Sequence, residues 1–261
     1  MILDEIIAHS TRDLAQRKLR QPLKELRRMT AEAPPPLDFA AALRGERIRL
    51  IAEFKKVSPS KGVIRAGASP GEIAGIYAAS GAAAVSILTE ERYFQGSLNH
   101  MVNIKKTIGN KIPLLRKDFI TDPYQVYESR AYGADALLLI TTILTEEKLR
   151  ELLELSHKLG MRCLVETHNE AEVATALAAG AMVIGINNRN LANLNVNLAI
   201  TERLRPLIPR ERIVVSESGF HERRDVEKMA KGSVDALLIG EALMSAPDIS
   251  AKIRELFPEQ A

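Results

Sequence analysis

The side chains able to do chemistry here stand where short apolar runs end. Glu53 and Lys55 follow Leu50-Ile51-Ala52, Lys117 follows Leu114-Leu115-Arg116, and Glu166 follows Cys163-Leu164-Val165. Asn187 closes Ile184-Gly185-Ile186, and Glu217 closes Val214-Val215-Ser216. Three carboxylates and two ammoniums gathered in a partly dry pocket hold one another ionised and shift one another's pKa. Such a set can move protons without a metal or an organic cofactor. The plainer alternative, a solvated charge on a loop, suits any one of these residues taken alone. It suits the set less well, because the other apolar runs also end in polar groups: Thr89-Glu90, Thr141-Thr142 and Gly240-Glu241.

Further features suit a phosphate. Ser218-Gly219 and Gly240-Glu241 follow the last two runs, and glycine lets a backbone approach an anion closely. Ser58-Pro59-Ser60-Lys61-Gly62 adds hydroxyls on a second flexible loop, although taken alone it reads as an ordinary turn. Other chemistries lack their signatures. Histidines 9, 100, 157, 168 and 221 are scattered, with no H-x-x-x-H pair or cysteine cluster for zinc, so no metal is expected. No G-x-S-x-G or G-x-x-x-x-G-K-[ST] occurs. Cys163, flanked by Arg162 and Leu164 inside an apolar run, reads as a packed core thiol.

The elements that must position these residues show as a repeat. Gly81, Gly109, Gly133, Gly160, Gly180 and Gly232 each end a helix-like stretch just before a β-rich run, where a left-handed residue closes a helix. Pro209 punctuates the remaining unit. From Gly81 to Gly232 the spacing is about 25 residues per unit, the size of one strand, one helix and two short loops. The runs are almost continuously apolar, as in strands covered on both faces. Eight strands are expected, starting near 49, 84, 112, 135, 161, 182, 212 and 234. The fold class is therefore α/β, a (β/α)8 TIM barrel with an N-terminal helical extension. A doubly wound open sheet is the rival, but no G-x-G-x-x-G follows the first strand. In a barrel the polar residues above share the C-terminal rim, where barrel enzymes carry their chemistry.

Residues 1–48 stand apart as the extension, with 49–261 as the catalytic barrel. Leu3, Ile6, Ile7 and Leu14 fall at helical spacing, and Pro22 and Pro34-Pro35-Pro36 punctuate the rest of the extension. Two or three helices are expected, either plugging the barrel bottom or lying over its top. The chain of 261 residues has a net charge of +3, 4% aromatics and no Trp, which argues against nucleic acid as a partner. No apolar run is long enough for a membrane span. The acidic start, Asp4-Glu5, does not suit a secretion signal, and the lone Cys163 fits a reducing cytoplasm.

At these residues the sequence resembles the indole-3-glycerol phosphate synthase family. The resemblance rests on residues 51–62, Ser86-Ile87-Leu88-Thr89-Glu90 with Tyr93-Phe94-Gln95-Gly96-Ser97, and Leu115-Arg116-Lys117-Asp118-Phe119. It continues in Leu164-Val165-Glu166, residues 184–191, Ser216-Glu217-Ser218-Gly219 and Leu238-Ile239-Gly240-Glu241. Together these motifs span nearly the whole chain in the family's order. The resemblance implies a cofactor-free ring-closing decarboxylase of tryptophan biosynthesis acting on a phosphorylated small molecule, as a monomer or weak homodimer.

It also implies roles. Lys117 becomes the acid, Glu166 and Glu53 the acid–base carboxylates, and Lys55 a bridge between substrate carboxylate and phosphate. Asn187 and Glu217 fix hydroxyls and the lysine network. Ser58, Arg189, Ser218, Gly219, Gly240 and Glu241 bind the substrate and its phosphate, Glu241 through its backbone. Two positions depart from the common pattern. Glu241 stands where other members carry Ser, and Asn197 where Asp is frequent, the latter expected to be a mild helix-cap change. Two rivals remain: a Schiff-base lysine at Lys117 or Lys55 in an aldolase-like barrel, and a non-catalytic phosphate binder.

Overall fold

Strand and helix alternate along the chain because each apolar run is too short to be a helix and each is followed by a capped helical segment. The computed structural model describes residues 2–258 except Ala192. The barrel strands are β1 (Arg49–Phe54), β2 (Ala84–Leu88), β3 (Leu114–Lys117) and β4 (Ala136–Ile140). They continue with β5 (Arg162–Thr167), β6 (Val183–Asn187), β7 (Ile213–Glu217) and β8 (Ala236–Ile239). All eight pair in parallel with their sequence neighbours, and β8 returns to β1 to close the sheet. Closure leaves none of these eight strands with an exposed edge. It also forces alternate residues of each strand inward. The start points anticipated from the glycine repeat lie within two residues of those observed.

The glycine punctuation holds for most units. Gly81, Gly133, Gly160 and Gly180 adopt φ of 85°, 93°, 79° and 88°. Gly232 departs from the expectation, with φ −80°, and Ser233 takes the left-handed turn at φ 58°. The physical reason is phase. The helix Arg223–Lys231 ends one residue later relative to its glycine than its counterparts do, so Gly232 is the cap and the reversal falls on the next residue.

The side chains sort by pleat. Ile51, Leu115, Leu138, Leu164, Val183 and Val215 fill the interior, while Leu50, Val85, Leu137, Val165, Ile184 and Leu237 pack outward under the helices. Cys163 is buried in that outer layer, and burial pushes its thiol up to about 12, which makes it inert as a nucleophile.

Three helices precede β1, and they occupy both ends of the barrel. The short α3 (Phe39–Ala42) inserts Phe39 and Leu43 among Val183, Ile213 and Ala236, the first residues of their strands. Both side chains are fully buried, each worth roughly 1.5–3 kcal/mol of apolar burial. The bottom is thus plugged. By contrast α1 (Ile2–Arg20) and α2 (Leu23–Glu32) pack through Leu14 and Leu26 against Tyr124 of the helix Pro123–Ala131. Arg17 pairs with Glu128 at 2.8 Å, and the Tyr124 hydroxyl donates to the Gln21 carbonyl at 2.8 Å. This side mounting carries the start of α1 to the top, where Leu3 and Ile6 form part of the cleft wall. Among the described residues, no helix is long and apolar enough to cross a membrane.

Candidate active site

Period-two alternation delivers the site. Glu53, Lys117, Glu166, Asn187 and Glu217 occupy the same inward phase as the interior core residues one pleat below. The register sets Asn187 opposite Glu217 on adjacent strands, and Glu166 opposite Gly185. Two glycines make room for the carboxylates. A Cβ on Gly185 would lie 2.3 Å from Glu217 Oε1, and one on Gly240 would lie 2.5 Å from Glu53 Oε1. No other residue type fits there with those carboxylates in place.

At the centre stands Lys117. Its ammonium donates to Glu166 Oε2 and to Glu217 Oε2, both at 3.0 Å. Burial alone would depress this lysine, but the attraction of Glu166, Glu217 and Glu53 outweighs it and raises its pKa. The two carboxylates respond in opposite directions. Burial would raise Glu166, yet Lys117 and His168 together hold it below the usual carboxylate range. Burial and the like charge of Glu166 win at Glu217, which rises to about 7 despite Lys117. Its Oε1 is buried and, among the described residues, has no hydrogen-bond partner. Lys55 forms a second pair, with Nζ 2.6 Å from Glu53 Oε1. A lysine kept as an ammonium is a poor Schiff-base nucleophile, so the aldolase-like reading has no support at Lys117.

The rim beside these groups is polar and sharply turned. Ser218 adopts φ 70° and Gly219 φ 95°, and a Cβ on Gly219 would meet Val196 Cγ1 at 2.6 Å. The Ser218 hydroxyl donates to Asn187 Oδ1 at 3.0 Å. Across the opening, Ser58 Oγ lies 3.4 Å from Ser60 Oγ on the loop after β1. Glu241 begins a short helix after Gly240, with its carboxylate 3.3 Å from Lys61 Nζ and 3.8 Å from Arg189. Asn197 accepts from the Ala199 amide at 3.0 Å, but the residue at the cap of the helix Ala199–Leu204 is Leu198, so Asn197 lies one residue before the cap expected of it. All twelve residues anticipated from sequence line one cleft. Among the described residues, no group of three His, Cys, Asp or Glu is placed to hold a metal.

A family model for indole-3-glycerol phosphate synthase matches residues 3–256. This chain belongs to the indole-3-glycerol phosphate synthase family. The indole-3-glycerol phosphate synthase of Dehalococcoides mccartyi (strain CBDB1) is 55% identical over 258 residues, covering 98% of this chain and 100% of that one. The same-named protein of Roseiflexus sp. (strain RS-1) is 49% identical over 262 residues, covering 98% and 97%. Among solved structures, a 3-hexulose-6-phosphate synthase superposes with a TM-score of 0.62 at 16% identity, covering 80% of this chain and 98% of that one. Thiamine phosphate pyrophosphorylase of Pyrococcus furiosus gives 0.61 at 15%, covering 83% and 96%. At such identities the likeness concerns the barrel fold only.

Within this synthase barrel the cleft has residues to which sequence reasoning gave no part in the site. Leu3, Ile6, Phe94 and Phe119 form an apolar wall facing the charged floor. Phe94 is held by Glu90, whose carboxylate accepts the amides of Arg92, Tyr93 and Phe94. The helical spacing of Leu3 and Ile6 signals an apolar stripe but not what it covers. His168 is another such residue, because metal-ligand spacing is the wrong test for it. Its nearness to Glu166, two residues earlier and on the same side of the strand, is the signal the sequence does carry.

Proposed function

We propose that this rim closes the indole ring by Lys/Glu acid–base catalysis, with Lys117 as the acid. The chain is an indole-3-glycerol phosphate synthase, a carboxy-lyase of tryptophan biosynthesis. Its substrate, 1-(2-carboxyphenylamino)-1-deoxy-D-ribulose 5-phosphate, gives indole-3-glycerol phosphate, CO2 and water. The ring carbon bearing the carboxylate attacks the ribulose carbonyl, and the oxygen gaining charge takes a proton from Lys117. Loss of CO2 leaves an alcohol, and dehydration then requires one group to protonate the departing hydroxyl and another to remove a proton. Glu53 and Glu166 fill those parts.

The observation that carries the reading is the double grip of Glu166 and Glu217 on Lys117 at 3.0 Å, at the floor of a cleft with one apolar wall. While both grips hold, the ammonium is a weak acid. A proton on Glu217 removes one counter-charge and strengthens it. The carboxyphenyl ring suits the wall of Leu3, Phe94 and Phe119. Lys55 bridges the carboxylate and the phosphate and holds the ring for attack. The phosphate suits Ser58, Arg189, Ser218, Gly219, Gly240 and the backbone of Glu241, and Asn187 fixes a hydroxyl. Residues 49–261 make up the catalytic barrel in this reading, and 1–48 the extension. The setting is cytoplasmic and the assembly a monomer or weak homodimer, with neither nucleic acid nor membrane as partner.

The test is to mix the protein with the substrate and follow indole fluorescence, which no Trp of the chain obscures. Lys117→Met is expected to fold and bind substrate while losing ring closure. Near-normal turnover in that variant would sink the assignment.

A further inference from the structure

His168 stands directly behind the Lys117–Glu166 pair, just past the end of β5. Its Nδ1 lies 3.0 Å from Glu172 Oε2, and its Nε2 lies 3.3 Å from Glu166 Oε1. Glu172, on the helix Glu170–Ala178, is itself immobilised. Its oxygens receive the His168 amide at 2.8 Å, the Thr141 hydroxyl at 2.9 Å, the Thr142 hydroxyl at 3.1 Å and the Asn169 amide group at 3.0 Å. A carboxylate so fully occupied accepts the Nδ1 proton and keeps the ring in one orientation.

That orientation has a consequence for the other nitrogen. With Nδ1 donating to Glu172, a neutral imidazole would turn a lone pair at Glu166 Oε1. Among the described residues the buried Nε2 makes no hydrogen bond, so its contact with Oε1 at 3.3 Å is one of charge and distance, and two lone pairs facing each other there repel until one of the two groups takes up a proton. The proton belongs either to the ring, giving imidazolium and carboxylate, or to Glu166, giving two neutral groups. The grip of Lys117 on the other oxygen of Glu166 favours the carboxylate. Glu217, the second carboxylate on Lys117, pairs with Lys117 through Oε2, and among the described residues its Oε1 has no hydrogen-bond partner.

We propose that His168 is a positioning residue for ring closure: clamped by Glu172, it faces Glu166 as an imidazolium and keeps that carboxylate ionised, so that Glu166 is the standing base while Glu217 carries the exchangeable proton. The inference rests on the acid–base reading above. The charged groups facing the ring are Glu166 from β5 and Glu172 from the following helix. The turn after β4 presents the Thr142 hydroxyl, 3.3 Å from Nδ1. Burial would depress the histidine, but its two carboxylates raise it to about 10.

Two measurements test this. In the first, the carbon-bound imidazole protons of the wild-type protein are followed by NMR, with His168 assigned by its absence in His168→Asn. Its resonance should keep the imidazolium shift from pH ~5.5 to ~8.5, where an ordinary histidine titrates. A transition centred near 6.5 overturns the proposal, whatever the protein's activity. The second is the pH profile of kcat/KM for His168→Asn and Glu172→Gln. Removing the imidazolium should move the limb set by Glu166 ionisation upward by about one pH unit or more, with KM on the plateau changed less than about twofold. Glu172→Gln should move it the same way by less. His168→Lys, which restores a cation, should bring the limb back. A uniform fall in kcat at every pH, with the limb unmoved, marks a purely structural histidine and overturns the proposal. Failure of the Lys117→Met test would reject the acid–base reading independently of the NMR result.

Discussion

Arg116 and Lys117 are neighbours on β3, and the pleat sends them to opposite sides of the barrel wall. Outward, Arg116 is fully buried and saturated. It donates to Thr89 Oγ1 at 3.0 Å, Gln125 O at 3.2 Å, Ser129 Oγ at 3.1 Å, and Asp118 Oδ2 and Glu128 Oε2 at 2.9 Å. Glu128 passes the connection on to Arg17 of α1, so this network ties the extension to the barrel. Inward, Lys117 has two carboxylate partners and an open cleft above. Both clusters hold buried charge. One is closed and spends every donor inside the protein, whereas the other leaves acceptor capacity at Glu217 and faces the space a substrate would fill. Burial of charge therefore does not mark the site; incomplete satisfaction beside a cleft does.

The pair can be broken from either side. Lys117→Met should cut kcat by roughly 10³-fold or more, since it removes both the acid and the charge that stabilises the developing oxyanion. Stopped assays for indole-3-glycerol phosphate, with substrate binding measured separately, check it. Arg116→Met should do the reverse. Stripping one partner from a buried ion-pair network costs about 3–5 kcal/mol of stability, which urea unfolding would read. Below the unfolding transition its kcat should stay within a few-fold of wild type. A large loss of kcat in a folded Arg116→Met protein would show that the outer network also tunes the inner one, and the contrast would fail.

The same two residues show how far this contrast is legible in the sequence. Strand position and pleat are legible, because eight apolar runs of near-constant spacing leave a closed barrel as the simplest way to cover both faces, and inward phase then comes from counting. That Arg116 is fully spent on structure is not legible: Glu128 and Ser129 are brought to it only by docking of the helix Pro123–Ala131, a long-range event with no local sequence mark. The extension shows the same limit. Its helices are visible in Leu3, Ile6 and Leu14, yet the spacing leaves the choice between plug and lid open. The resolution is that α3 plugs while α1 reaches the top, which no periodicity encodes. His168 lies in plain view beside Glu166, but its meaning depends on Glu172, set across from it by the first turn of the next helix.

Within the inner cluster, Glu217 is the group that changes charge near neutral pH. Its carboxyl, raised to about 7 by burial and by Glu166, is protonated below that pH and charged above it. Charging it adds a counter-ion to Lys117 and weakens that acid, so kcat/KM should fall as pH climbs through about 7. Glu217→Gln locks in the neutral form. Its profile should be flat across that region, and its rate below pH 7 should stay within about tenfold of wild type if no proton passes through the carboxyl itself. A limb persisting near pH 7 in this variant would assign the titration to another group.

The smallest expected effect lies at the edge of the cleft. Glu241 places a carboxylate 3.3 Å from Lys61 and 3.8 Å from Arg189, at a rim where a dianionic phosphate has to compete for the same cations. Lys61 is more than half exposed, so solvent screens its pairing with Glu241 and the pair contributes little to stability. Glu241→Ser would free both cations and remove a like charge, while the backbone amide and Gly240 stay in place. KM should fall by about two- to fivefold at low ionic strength, with kcat unchanged, and the gain should shrink as salt screens the repulsion. An unchanged KM at low salt would mean that the phosphate never meets this carboxylate. The comparison would then end at the Lys117 floor, with the rim acting through backbone and hydroxyl groups alone.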